Sequence, residues 1–343
     1  MRGRGLEGSV RMRSSWIAAA VAALFATQVQ AAEVEPAVVY DLGGKFDKSF
    51  NEAAYNGAER YKADTGTDYR DFEIQSDSQR EQALRNFARR GFDPVIGIGF
   101  SQAQAIEKVA DEYPDTHFVI VDAVVDKPNV RSVLFKEEQG SYLVGMLAAM
   151  ASETGKIGFI GGMDIPLMRK FACGYVEGAQ AVNPDIEIYE NMVGTTGSAW
   201  NDPVRGGELA KSQFDQGADV VYHAAGGSGV GVLQAAADAG KLGIGVDSNQ
   251  NMTHPGSVLT SMVKRVDNAV YDAIDDLAKD QWSAGVENFG LSDDGVAWAL
   301  DENNRDLISN EMETRVGEAR EKIIAGEIEV HDYMSDNSCP AKS

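Results

Sequence analysis

The feature that most constrains this chain is that it repeats itself. Ala37-Val38-Val39-Tyr40 reads as a buried strand and runs into Asp41-Leu42-Gly43-Gly44. A helix then starts near Asp47 or Ser49 and continues through Phe50 and Asn51 to Ala58. In the second half, Lys156 to Ile160 runs into Gly161-Gly162, and a helix follows through Phe171 to Ala179. The two halves stay in step. Polar helices Gln79 to Arg90 and Asp202 to Gln216 each precede a strand, Pro94 to Gly99 and Asp219 to Tyr222. Each strand ends in a small-residue turn with a serine, Gly99-Phe100-Ser101 and Gly226-Gly227-Ser228-Gly229. Each turn opens a helix, and each helix leads to a strand that ends in aspartate: Phe118 to Asp122, and Leu242 to Asp247.

Strands alternating with helices of this length mean βαβ units and parallel sheets. Two such halves predict an α/β chain with two doubly wound, Rossmann-like lobes. A length of 343 residues suits two cores better than one. Ligands of open parallel sheets sit beyond the carboxyl ends of the strands. Those ends carry Asp41, Ser101, Asp122, Gly226 and Asp247, so facing lobes would line one cleft with them. The first crossover between lobes is expected near Val133 to Glu137, a second after Val258 to Met262, and a third near Trp282 to Phe289. The expected lobes are therefore residues 32–135 with 263–285, and residues 136–262 with 286–343. Several strand-like crossings make a hinge on which lobes can close.

The N-terminus falls outside this pattern. Arg2, Arg4, Arg11 and Arg13 precede an apolar run, Trp16 to Ala26, and Val29-Gln30-Ala31 has the small-x-small form of a cleavage site. Residues 1–31 are expected to be a cleaved secretory signal, because the apolar run is short for a membrane span. The only cysteines are Cys173 and Cys339, so no lipid-bearing cysteine follows the apolar run. The expectation is a free periplasmic protein, in a compartment where those two cysteines can pair. The segment holds four of the 31 basic and one of the 53 acidic residues, so the exported chain is more acidic still than the whole at −22. Such a surface repels nucleic acid and anionic lipid.

Enzyme motifs are missing. Gly226-Gly227-Ser228-Gly229-Val230 fails GxSxG at its last position. His117, His223, His254 and His331 are scattered, without HExxH or CxxC, so no metal is expected. The glycine-rich turn at Gly226 departs from GxGxxG and reads as a tight turn offering N–H donors, so no cofactor is expected either. Asp41, Asp122 and Asp247 could form a catalytic carboxylate set or cap turns. Without a base, nucleophile or metal they suit hydroxyl recognition better, since a carboxylate accepts two hydrogen bonds from a vicinal diol. Lys264, at a strand end, would offset their charge and donate to a hydroxyl. Phe50 opens a helix at the cleft, and Trp200 sits in a polar loop, Gly194 to Asp202, an odd place for a packing tryptophan. Phe171 fits a core position as well as a cleft wall. Flat faces beside a planar base would contribute on the order of 1–3 kcal/mol each.

With these residues in view, Asp41-Leu42-Gly43-Gly44-Lys45-Phe46-Asp47-Lys48-Ser49-Phe50-Asn51 resembles the signature of the basic membrane protein family of nucleoside-binding proteins. Arg169-Lys170-Phe171, Gly197 to Pro203, Ala225 to Gly229, Gly245-Val246-Asp247 and Thr260 to Arg265 are similar as well, and the likeness runs from about residue 36 to 334. It implies a type 1 periplasmic-binding fold and a role as the substrate-binding component of an ABC importer, with permease subunits as partners and a monomeric state. It further implies a purine nucleoside as ligand. Phe50 and Trp200 would sandwich the base; Asn51, Asp41 and Asp122 would face the base or its edge. Asp247, Lys264 and the Gly226 backbone would hold the ribose. Three alternatives stay open: a receptor for a sugar or other small hydroxylated solute, an enzyme of nucleoside metabolism, and a sensor domain of the same fold. A DxDxxxDD run, which a calcium-dependent nucleoside hydrolase would want, is missing.

Overall fold

The computed structural model describes residues 34–342; the expected cleaved signal, residues 1–31, lies outside them. The first half runs β1 (Ala37–Tyr40), α1 (Phe50–Thr65), β2 (Arg70–Glu73), α2 (Arg80–Arg89), β3 (Val95–Gly97), α3 (Ala103–Glu112), β4 (Phe118–Val121) and β5 (Val130–Phe135). After α4 (Glu137–Ala151) the order repeats: β6 (Lys156–Met163), α5 (Pro166–Val182), β7 (Glu187–Gly194), α6 (Pro203–Asp215), β8 (Val220–Ala224), α7 (Gly229–Asp238), β9 (Leu242–Asp247) and β10 (Val258–Lys264). The chain then continues with α8 (Val266–Ala278), β11 (Gly285–Phe289), β12 (Val296–Trp298), α9 (Asn310–Ile324) and α10 (Tyr333–Asp336).

Two six-stranded sheets result, ordered β11-β5-β4-β3-β1-β2 and β12-β10-β9-β8-β6-β7. Leaving out β11 and β12, the orders are identical once each strand of the first half is matched to its counterpart in the second. The repeat read from the sequence is thus a repeat of topology. β1 and β4 are apolar along their whole length and fully buried, as central parallel strands covered on both faces must be. β2 alternates exposed and half-buried residues, which fits its place at a sheet edge. The edge strands of the opposite side differ in direction: β11 is parallel to β5, whereas β12 is antiparallel to β10.

Both added strands shift the expected lobe borders. β11 pairs with β5 from Gly285↔Arg131 to Phe289↔Phe135, so residues 286–289 complete the first sheet. β10 stays paired with β12 through Lys264↔Val296, so Val263 and Lys264 remain with the second. The free edges of β5 and β10 supply the reason, since each needs a partner for its backbone groups. The crossings therefore fall at Lys136, Arg265 and Gly290. α8 returns to the first lobe against α1, where Arg60 pairs with Asp267 at 3.1 Å and Tyr61 meets Tyr271 edge-on.

α4 and α5 pack closely because glycines face them. A Cβ at Gly174 would lie 2.2 Å from the Glu138 carbonyl oxygen, and one at Gly178 would lie 1.9 Å from that of Tyr142. On α5, Cys173 is bonded to Cys339 with their Cα atoms 5.6 Å apart, which ties the C-terminal residues to the second lobe.

Candidate functional site

The carboxyl ends of the two sheets face each other across a cavity of about 60 Å³. Nine of the ten residues singled out from the sequence line it: Asp41, Phe50, Asn51, Asp122, Phe171, Trp200, Gly226, Asp247 and Lys264. Ser101 is not on the wall. It stands behind Asp41 and donates to Oδ2, while Gly99 and Phe100 of the same turn face the cavity.

Asp41 is a held carboxylate. Its Oδ1 accepts from the Leu42 N–H at 2.8 Å and from Arg80 at 2.7 Å. Asn51 clamps the Asp41 backbone, with Oδ1 accepting its N–H at 3.1 Å and Nδ2 donating to its carbonyl at 3.3 Å. Nothing in the sequence signals that Arg80, at the start of α2, reaches back to the end of β1.

Asp122 and Asp247 differ from Asp41. They end the duplicate strands, and both take left-handed backbone conformations, φ 70° and 61°. Aspartate visits that region more readily than most residues, but it is uncommon at the end of a strand and clusters at functional sites. Asp122 Oδ2 accepts from Lys264 at 2.6 Å, and its Oδ1 is buried without a hydrogen-bond partner. Asp247 Oδ2 accepts from Ser49 Oγ at 2.6 Å. Burial pushes each carboxyl up to about 6; Lys264 opposes the rise at both.

Lys264 is fully enclosed. Its ammonium lies 2.6 Å from Asp122, 2.8 Å from Glu137, and 5.1–5.6 Å from the ring centres of Phe50, Phe135 and Phe171. Burial alone would pull its pKa down, but Asp122, Glu137 and Asp247 together hold it above the usual lysine value. The lysine expected to donate to a ligand hydroxyl thus spends two of its three donors on protein carboxylates.

The aromatic walls come from both lobes. Phe50 is the first residue of α1, and Phe171 is almost wholly buried, packing in the core as well as facing the cavity. Trp200 lies on the β6 backbone: a Cβ at Gly162 would sit 2.2 Å from its six-membered ring. Phe100 meets Trp200 edge-on from the first lobe, centroids 6.4 Å apart.

The sequence marks Asp47 only as a helix start. It is buried in the cavity wall and accepts the N–H groups of Ser49, Asn51 and Glu52 at 2.8–3.1 Å, capping α1. Burial raises its carboxyl to about 6. An aspartate two residues before a serine at a helix start was the available signal. Glu137 was also missed: it opens α4 beside the first crossing, and nothing local marks it as buried.

The lobes are closed on one another. Besides the Ser49–Asp247 bond, Ser248 Oγ donates to the Ser49 carbonyl at 2.8 Å, and Gln250 Nε2 donates to the Lys48 carbonyl at 2.9 Å. Among the described residues no group of three or more His, Cys, Asp or Glu could hold a metal ion. Nor is any described helix long and apolar enough to cross a membrane.

Two doubly wound lobes, three crossings and a cavity of carboxylates and aromatic faces between them define a ligand-binding protein of the periplasmic-binding-protein type. The chain belongs to the Bmp family, whose description is ABC transporter substrate-binding protein PnrA-like, and residues 34–333 match its model. The ABC transporter nucleoside-binding protein BmpA of Lactococcus lactis is 33% identical over 321 residues, 87% of this chain and 89% of that one. An uncharacterised lipoprotein of Pyrococcus furiosus is 36% identical over 292 residues, 80% of this chain and 72% of that one. The crystal structure of an ABC transporter solute-binding protein from Aeropyrum pernix superposes with a TM-score of 0.80 at 31% identity, over 86% of this chain and 92% of that one.

Proposed function

We propose that the chain captures a purine nucleoside between its lobes and presents it to the permease subunits of an ABC importer. One observation carries this reading. The duplicate strand ends offer two buried carboxylates, Asp122 with its Oδ1 free of any hydrogen bond from the protein and Asp247 bonded through Oδ2 to Ser49, beside the aromatic faces of Phe50, Phe171 and Trp200. Carboxylate oxygens want N–H and O–H donors, and flat apolar faces want a planar ring. A nucleoside supplies both in one molecule, whereas a plain sugar supplies no conjugated plane. The nucleoside-binding name of the Lactococcus relative agrees. In this reading residues 1–31 export the chain, which works in the periplasm as a monomer, free of lipid. The naming of the Pyrococcus relative as a lipoprotein makes the mature N-terminus worth measuring by intact mass.

The deciding experiment is native mass spectrometry of the protein purified from its own periplasm, followed by calorimetry with adenosine, guanosine, cytidine, ribose and glucose. Tight binding of the purine nucleosides and weak binding of the free sugars is the expected result. Preference for ribose or glucose would replace this reading with a sugar receptor.

A further inference from the structure

Behind the cavity runs a chain of buried charges. Lys264 Nζ reaches both Asp122 Oδ2 and Glu137 Oε1, at 2.6 and 2.8 Å. Glu137 Oε2 lies 3.0 Å from Lys170 Nζ, which donates to the Phe135 carbonyl at 2.7 Å. Glu137, Lys170 and Lys264 are each at most 5% exposed. Taking ions out of water is expensive, and well-packed apolar residues often stabilise a core as much as a buried ion pair does. Stability alone therefore gives little reason for this arrangement, and its end at the cavity supplies a better one.

We propose that Glu137 is a positioning residue of the ligand site: it holds Lys264 back from Asp122, so that the ammonium engages only Oδ2 and leaves Oδ1 open to a donor on the ligand. This rests on the nucleoside reading of the cavity. An ammonium with Asp122 as its sole partner would settle across both carboxylate oxygens. With Glu137 as a second partner at 2.8 Å, it is shared between two carboxylates. Glu137 follows the Lys136 crossing and lies within ion-pair distance of Lys170, whose bond to the Phe135 carbonyl ties that lysine to the end of β5.

The charged groups around this chain come from every neighbouring element. Asp247 ends β9, and Asp47 precedes α1. Glu138 shares α4 with Glu137, and Asp332, ahead of α10, lies 3.8 Å from Lys170. Burial holds Asp122 near 6; Lys264 lowers it, and the charge of Glu137 raises it. Removing that charge while keeping the shape should move Asp122 down.

The test compares Glu137→Gln, which removes the charge, with Glu137→Asp, which keeps it. Carbon-13 carboxyl titration of Asp122 in ligand-free protein is one readout; calorimetry with adenosine at neutral and mildly acidic pH is the other. Glu137→Gln should lower the Asp122 midpoint and weaken adenosine binding by about tenfold or more, since a charged hydrogen bond commonly carries that much. Glu137→Asp should keep the midpoint close to wild type even if melting temperature drops. If both variants lose melting temperature and affinity together while the Asp122 midpoint stays put, Glu137 only packs the hinge and the proposal is overturned. If the wild type ignores adenosine while the midpoint moves as expected, the nucleoside reading fails and the positioning role stands.

Discussion

At the scale of single residues, Asp247 is where sequence, geometry and electrostatics meet. Hydrogen bonds to a charged group contribute about 1.5–3 kcal/mol each, and about 1.4 kcal/mol is one decade of affinity. Asp247→Ala should weaken a purine ribonucleoside at least about tenfold and a 2′-deoxynucleoside less, because the latter already lacks one hydroxyl. Calorimetry with both sugars checks this; equal losses would argue against a ribose contact. The acid dependence follows from the same group. Its carboxyl is raised to about 6 by burial, and only the ionised form accepts from two hydroxyls. Affinity should be full well above that pH and decline as pH falls through it. Burial raises the Asp122 and Asp47 carboxyls to about 6 as well, so Asp247→Asn should flatten the profile only in part. Gly162 gives a second test. A methyl there would strike the indole of Trp200 at 2.2 Å, so Gly162→Ala should displace Trp200, shift its emission and weaken binding. Unchanged emission and affinity would remove Trp200 from its assigned wall.

At the scale of elements, the disulfide gives the clearest prediction. It links α5 to residue 339 across a separation of 166 residues. Bonds closing long loops typically stabilise by about 2–5 kcal/mol, so Cys339→Ser or reduction should lower the melting temperature by several degrees. A melting curve indifferent to reductant would show that the C-terminal segment holds without the bond. Much of the element pattern was legible in the sequence because duplication supplied an internal check: a strand ending in Asp122 made the strand ending in Asp247 easier to read. Where that check lapsed, reading faltered. β11 and β12 have no counterparts in the repeat, and they moved the lobe borders. The site was legible to a similar degree. Strand ends announce themselves through glycine and aspartate, so most of the cavity wall could be named. Behind the wall, Glu137 and Lys170 were harder to place, since a charged residue near a helix start reads as solvated, whereas here the two are buried against each other. Ser101 was misplaced by one shell because the turn presents Phe100 and Gly99 instead.

At the scale of the whole molecule, the lobes meet through Lys48 and Ser49 on one side and residues 246–250 on the other. The cavity, about 60 Å³, is smaller than the roughly 150 Å³ cavity that admits benzene elsewhere, so the proposed nucleoside would have to enter an opened form. Because the closed form alone touches ligand from both lobes, adding nucleoside to open protein should compact it. Small-angle scattering should show a smaller radius at saturation, and Gln250→Ala should leave the unliganded protein more open. An unchanged radius in both experiments would remove the hinge from the mechanism. The three crossings carry a further consequence. α8 and β11 belong to the first lobe, yet they follow every strand of the second except β12. The lobe that starts first along the chain therefore finishes late: until residue 289 arrives, β5 has an open edge and α1 lacks the helix that covers it. The order in which the chain is made is not the order in which its halves can set, and a protein emerging lengthwise through a pore would stay pliable until nearly all of it had passed.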